Sequence, residues 1–170
     1  EERTNGLMFG CGKKNAGEPG AGCIDACQKG TLVPLSEVPN DVFAQKILGD
    51  GCAIIPSEGV VVSPVSGTVV DVTETLHAVC ITSDDGVDFL VHVGLETVAL
   101  KGEGFEPLVR AGDKIKAGDP MIKVDLDFLK EKGLKLHTPT VIADMDGITL
   151  TIEEVKEVTA GTIVAHYTKQ

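Results

Sequence analysis

From Gly22 onward the chain is written in short β-type runs cut by Gly, Pro and Asp. Val60-Val61-Val62 behind Gly59, Gly67-Thr68-Val69-Val70-Asp71-Val72, and Thr140-Val141-Ile142 are three of them. β-Branched side chains suit a pleated, half-buried surface, and the intervening Gly and Asp suit turns. Helical spacing of apolar positions occurs in Val42-Phe43-Ala44-Gln45-Lys46-Ile47-Leu48 and in Asp125-Leu126-Asp127-Phe128-Leu129-Lys130-Glu131-Lys132, both short. Asp41 and Asp125 can cap these two segments. The pattern predicts an all-β fold: an antiparallel sandwich or barrel-like domain with a few short helical segments. Residues 1–22 are Gly-rich and lack apolar periodicity, so they read as a tail or linker before a domain spanning 23–170.

Parts of this pattern recur. Cys27-Gln28-Lys29-Gly30-Thr31-Leu32-Val33 echoes Pro64-Val65-Ser66-Gly67-Thr68-Val69-Val70. Ala111-Gly112-Asp113 returns as Ala117-Gly118-Asp119, and Ala160-Gly161-Thr162 partly matches both. A Gly at each tip supplies the positive φ that tight turns need. Two similar β units packed face to face would account for the echo.

Within this pattern, Phe89-Leu90-Val91-His92-Val93-Gly94-Leu95 reads as a buried strand with a histidine inside it. His77 heads an earlier apolar run, Ala78-Val79-Cys80-Ile81, and Ser83-Asp84-Asp85-Gly86 lies between the two. Strand, Asp-Gly turn and returning strand form a hairpin that can set the two imidazoles side by side. A strand His flanked by bulky neighbours has few rotamers. A lone His in such a strand is commonly structural, but here a second His, Thr75 and Gly94 accompany it. A fixed neutral imidazole beside another can serve as a nucleophile or a metal ligand. Thr75 can orient the His77 ring through its hydroxyl, Gly94 leaves room for a partner's backbone, and Lys101 offers a distant positive charge. His137 and His166 lie outside the motif and read as surface residues. Asp84-Asp85 and Glu153-Glu154 read as solvated charges.

Composition narrows the partners. The chain has 170 residues, 42% hydrophobic and 24% charged, ordinary for one globular domain. A net charge of −11 disfavours nucleic acid and anionic membranes and favours basic partners. Trp is absent and Tyr occurs once, so no aromatic base-stacking platform is indicated. No apolar stretch has the length of a membrane span, and no signal-peptide pattern opens the chain. The first residue is Glu1, so the sequence reads as a fragment or processed form. Cys11, Cys23, Cys27, Cys52 and Cys80 form no CxxC pair and fit reduced thiols in a cytosolic protein. Cys11, Cys23 and Cys27 are a weak metal-binding set. No Walker-type loop is present, which argues against a nucleotide phosphoryl donor.

The sequence resembles the glucose-type enzyme IIA domain of the bacterial phosphoenolpyruvate-dependent sugar phosphotransferase system. The resemblance rests on Gly86-Val87-Asp88-Phe89-Leu90-Val91-His92-Val93-Gly94-Leu95-Glu96-Thr97-Val98 and Leu100-Lys101-Gly102-Glu103-Gly104-Phe105-Glu106. Val38-Pro39-Asn40-Asp41-Val42-Phe43, Leu48-Gly49-Asp50-Gly51, Ser63-Pro64-Val65-Ser66-Gly67 and Thr75-Leu76-His77-Ala78 extend it, in order, between about Leu32 and Val164. It implies an antiparallel β-sandwich with a shallow active face. It implies that His92 accepts a phosphoryl group from the phosphohistidine of the carrier protein HPr. The group then passes to a cysteine of an enzyme IIB domain of a sugar permease. Phe43, Ile47 and Val98 match positions of the partner-docking face. Without the resemblance these three read as core. The implied location is the cytoplasm, at the inner membrane face where the domain is fused or docked to a permease, and no cofactor is required. Cys27 stands where the family usually has Pro, Glu96 where Asp is usual, Asn40 where Asp is common and Thr73 where an aromatic is common. The last makes the docking face less apolar.

Two other chemistries fit parts of the text. In a zinc hydrolase His77 and His92, with Glu96, would hold the metal. Yet Glu96 would lie on the order of 13 Å from His92 along a strand. A lipoyl- or biotinyl-type carrier matches the Gly-Asp hairpins but lacks a Lys at a tight apolar tip.

Overall fold

A computed structural model describes residues 21–169. In chain order it holds β1 (Ala21–Asp25), β2 (Gly30–Pro34), a 3-10 turn (Leu35–Glu37), α1 (Asp41–Ala44), β3 (Asp50–Pro56), β4 (Val60–Val62) and β5 (Gly67–Val72). There follow β6 (Ala78–Ser83), β7 (Asp88–His92), a second 3-10 turn (Thr97–Leu100), β8 (Phe105–Pro107), β9 (Lys114–Ile115) and β10 (Pro120–Val124). The last elements are α2 (Leu126–Glu131), β11 (Thr138–Ile142), β12 (Ile148–Ile152), β13 (Glu157–Val158) and β14 (Ile163–Lys169). The linker expected over residues 1–22 falls almost wholly outside the described residues. Its last two positions, Ala21 and Gly22, already belong to β1.

One eight-stranded sheet runs β9-β5-β6-β7-β11-β3-β2-β13. Two three-stranded sheets, β4-β10-β8 and β12-β14-β1, pack with it. The pairings are antiparallel. The large sheet is open at β9 and β13, so the fold is a sandwich and not a closed barrel. Val69, Val79, Val91, Ile122 and Ile142 are at or near zero exposure in the main core. A smaller cluster of Val33, Leu35, Val38, Phe43, Ala53, Leu95 and Val141 sits under α1. No helix among the described residues is long and apolar enough to cross a membrane.

The sequence echo has a structural counterpart, but not the face-to-face one. Gly30 opens β2 opposite Pro56, and Gly67 opens β5 opposite Ser83. Both strands lie in the same sheet, each second from its end. The repeated Gly turns match closely. Arg110 N–H donates to Asp113 Oδ2 at 3.0 Å, Lys116 N–H to Asp119 Oδ2 at 2.8 Å and Thr159 N–H to Thr162 Oγ1 at 3.1 Å. Each turn's Gly has positive φ.

Local signals place the remaining elements. The Ser83–Gly86 turn closes with Gly86 N–H on Ser83 O at 2.9 Å, with Gly86 at φ +87°. Asp85, expected to be solvated, instead accepts from Ser83 Oγ and from Tyr167 OH at 2.7 Å. Glu153 likewise pairs with His166 Nε2 at 2.6 Å. His137 is half-buried, with Nδ1 out of solvent, so neither of these two histidines is a plain surface residue. Asp125 caps α2 through Phe128 N–H at 3.1 Å. The cap of α1 is Asn40, one residue before the expected Asp41, through Val42 N–H at 3.0 Å. That helix stops at Ala44 because Lys46 takes a left-handed φ of +60°. Cys27, Cys52 and Cys80 are free thiols, whereas Cys23 is disulfide-bonded, which corrects the reduced state expected there. Cys27 is fully buried under Thr140 Oγ1 at 3.5 Å and is closed to a metal.

Candidate functional site

The β6–β7 hairpin sets the site. Ala78 pairs with His92 across the ladder, and Val93 N–H donates to His77 O at 2.6 Å. His77, one residue before β6, is thereby held beside the last residue of β7. The two rings lie 4.8 Å apart at 75°, edge to face. Both are half-buried. A cleft of about 590 Å³ lies elsewhere, lined by Leu32, Pro34, Lys46, Leu150 and Ile152.

Each imidazole is held at Nδ1. His92 Nδ1–H donates to the Gly94 carbonyl at 2.7 Å, which leaves the Nε2 lone pair for chemistry. Burial pushes the His92 pKa down to about 4; the Gly94 bond opposes this and the neighbouring His77 adds to it. The ring is therefore neutral near pH 7. Burial also lowers His77. Thr75 Oγ1 lies 2.5 Å from His77 Nδ1, where the sequence placed it. With the Thr75 hydroxyl donating, His77 carries its hydrogen on Nε2 and becomes a donor toward a group on His92.

The site also has a floor. The Phe43 ring meets His92 edge-on, 5.1 Å away at 62°, and Phe43 is 3% exposed. It supports the His92 ring from within, so it is not the outer docking residue that the resemblance implied. Ile47 and Val98 do stand out, at 65% and 53% exposure, and Val42 and Leu48 in the same segment as Ile47 are exposed too. Gly94 does not open space for a partner. A Cβ there would meet Thr97 and Leu129, and φ is +76°, so the requirement is internal. Lys101, exposed at φ +53°, follows the second 3-10 turn.

Sequence reasoning missed Thr73 as a neighbour of His77: its Oγ1 is 3.4 Å from Nδ1. The alternation Thr73, Thr75, His77 was the available signal. Among the described residues no three His, Cys, Asp or Glu side chains converge as metal ligands. Glu96, exposed in a left-handed turn, is no third partner for the histidines, and the hydrolase reading has no support.

Known proteins share this arrangement of strands. The structure of glucose permease IIA from Mycoplasma capricolum superposes with a TM-score of 0.82 at 38% identity, over 86% of this chain and 95% of that one. The glucose-specific EIIA component of Halalkalibacterium halodurans is 46% identical over 142 residues, 82% of each chain. Glucose-specific EIICBA components of Staphylococcus saprophyticus and Staphylococcus carnosus are 42% and 45% identical over 83% and 84% of this chain. The chain spans only 21% of the length of each of these two. Residues 23–148 match the family of the phosphoenolpyruvate-dependent sugar phosphotransferase system, EIIA 1. That span takes in both histidines and the hairpin joining them, and with the fold and the 46% identity it establishes that the chain belongs to the EIIA 1 family.

Proposed function

We propose that this phosphotransferase-system component is a phosphocarrier whose acceptor is His92 Nε2. The phosphoryl group arrives from the phosphohistidine of HPr and leaves to a cysteine of an enzyme IIB domain. The observation that carries this reading is the neutral His92 ring, held at Nδ1 by Gly94 with His77 edge-on at 4.8 Å. In each transfer one bond to phosphorus forms as another breaks, in line, through a loose transition state. Such a reaction asks the protein mainly to position groups and stabilise charge. As Nε2 bonds to phosphorus the ring gains positive charge, and the Gly94 carbonyl at Nδ1 stabilises it. His77 Nε2–H then donates to a phosphoryl oxygen.

Two half-buried imidazoles at the surface suit two protein partners in turn better than a small-molecule cleft would. Ile47 and Val98 offer exposed apolar area. The net charge of −11 favours a basic face on HPr, acting mainly on the association rate. EIICBA relatives carry a like segment within a longer chain, which supports work at the cytoplasmic face of a permease. The test is labelling with phosphoenolpyruvate, enzyme I and HPr. The wild-type chain should take an acid-labile, base-stable label, and His92→Ala should take none. Label retained in His92→Ala, or mapped to Ser or Asp, would overturn the assignment.

A further inference from the structure

The loop between β5 and β6 brings two hydroxyls to one nitrogen. Thr75 Oγ1 is 2.5 Å from His77 Nδ1, and Thr73 Oγ1 is 3.4 Å from the same atom. Thr73 is anchored differently from Thr75. Its Oγ1 accepts from Ala78 N–H at 3.2 Å. Its own N–H donates to Ala78 O at 3.1 Å, and its carbonyl accepts from Leu76 N–H at 2.8 Å. Thr73 thus closes the loop that carries His77. That closure holds Leu76 at φ +62°, a conformation costly for a branched side chain.

The hydroxyl proton of Thr73 has two acceptors at 3.4 Å, Ala78 O and His77 Nδ1. Ala78 O already receives the Thr73 N–H. The Thr73 oxygen is itself occupied by the Ala78 N–H. The Thr73 hydroxyl proton is thus left either to share Ala78 O or to go to Nδ1. A Thr75 hydroxyl acting alone could rotate and accept an Nδ1–H, which would strip the hydrogen from Nε2. When the Thr73 proton goes to Nδ1, that nitrogen is held as an acceptor even with the Thr75 hydroxyl turned away.

We propose that Thr73 is a second positioning residue for phosphoryl transfer: it braces the 73–78 loop and, with Thr75, keeps the His77 hydrogen on Nε2. The transfer role rests on the phosphocarrier reading above, while the effect on the ring does not. The experiment is nitrogen NMR of the imidazoles in the intact, unphosphorylated chain, followed by single-turnover transfer from labelled His92 to a IIB domain. Thr73→Val should move the His77 Nδ1 resonance toward a mixed tautomer. Onward transfer should slow about tenfold, the scale of one neutral hydrogen bond. His92 should still go to full labelling, so that the slowed onward step can be read from the labelled chain. Thr73→Ser should restore both readouts, and Thr73→Val with Thr75→Val should exceed either alone.

Wild-type resonances in Thr73→Val would overturn the proposal. So would shifted resonances with a wild-type transfer rate, or Thr73→Ser behaving as Thr73→Val. Should Thr73→Val disturb amides beyond the loop, Thr73→Ala against Thr73→Ser gives the same contrast. If the wild-type chain takes no label on His92, the phosphocarrier reading fails, and the nitrogen resonances still decide whether Thr73 sets the ring.

Discussion

The two halves of the eight-stranded sheet are built alike and used differently. On one side β9, β5, β6 and β7 follow one another; on the other β13, β2, β3 and β11 hold the corresponding places. Gly67 opens β5 and Gly30 opens β2. A Cβ on either would run into the facing strand's carbonyl, of Thr82 or Ile55. The halves diverge where their strands connect. Between β5 and β6 a short loop carries Thr73, Thr75 and His77. Between β2 and β3 a longer connection carries α1, with Phe43 inward and Ile47 outward. One half supplies the histidines and the other supplies the floor beneath them. The repeated frame is stiff, and the chemistry comes from what its unlike connections bring to the shared seam of β7 and β11.

The largest effect should come from breaking that seam. Phe43→Ala removes a buried ring and should cost about 3–5 kcal/mol in urea unfolding. Water then reaches the half-buried His92 ring, whose pKa should climb from about 4 back toward 6.5. An unchanged His92 titration in Phe43→Ala would mean that the second half does nothing for the site.

Acid offers the next break. The unfolded chain protonates a histidine near 6.5, whereas folded His92 resists until about 4. Its contribution is therefore whole above pH 6.5 and is lost as pH falls through that window, about 3 kcal/mol in all. Half-buried His77 and His137, both lowered by burial, act in the same sense. Asp25 acts oppositely. Burial raises it from 3.8 to about 6, so its contribution is present below 3.8 and lost as pH rises through 6. Unfolding at pH 7, 5.5 and 4.5 should show a steep acid loss that His92→Asn flattens. Asp25→Asn should improve stability at pH 7.

The histidines themselves should separate by role. His77→Gln keeps a donor but loses the geometry set by Thr75. It should still be labelled at His92, while transfer to a IIB cysteine slows by roughly two orders of magnitude. Wild-type transfer would make His77 structural, and failure to label would give it a part in acceptance.

Much of this site was legible because its signals are local. The Asp85-Gly86 turn fixes the hairpin register, and that register alone sets Ala78 against His92. Thr75 sits two residues from the ring it touches. What was missed depends on chain segments far apart in sequence. Phe43 reaches His92 from 49 positions away across the sheet seam, so its burial could not be read from its own neighbourhood. Asp85 finds Tyr167 at a separation of 82 residues. Gly94 answers to Thr97 and Leu129, not to a visitor. The echo was visible, but a repeated strand does not say whether its copy lies beside it or across from it. Thr73 is the local exception: its alternation with Thr75 and His77 was readable, but the closed loop is what brings its hydroxyl to the ring.

If the halves share one frame, their opening glycines should be equivalent. Gly30→Ala and Gly67→Ala should each cost about 1–3 kcal/mol, since a facing strand must move. The two costs should match to within about 0.5 kcal/mol and add in the double variant. A large inequality in urea unfolding would confine the likeness to sequence.

The smallest effects belong to the repeated turns, and they probe the likeness most finely. In all three, the Gly N–H donates to the carbonyl of a facing residue: Gly112 to Val69, Gly118 to Ser63, Gly161 to Ala26. Each facing residue returns its own N–H, to Asp113 O, Asp119 O and Thr162 O. The side-chain oxygen of that last residue ties the turn together from within. Asp113→Ala and Asp119→Ala each leave one backbone N–H to solvent and should cost about 1 kcal/mol. Thr162 does the same work with a hydroxyl, so Thr162→Asp should be neutral to within about 0.5 kcal/mol, while Thr162→Val should cost as much as the two Asp→Ala changes. If Thr162→Asp destabilises as much as Thr162→Val, the third turn is not interchangeable with the other two. The repeat would then extend only to the backbone.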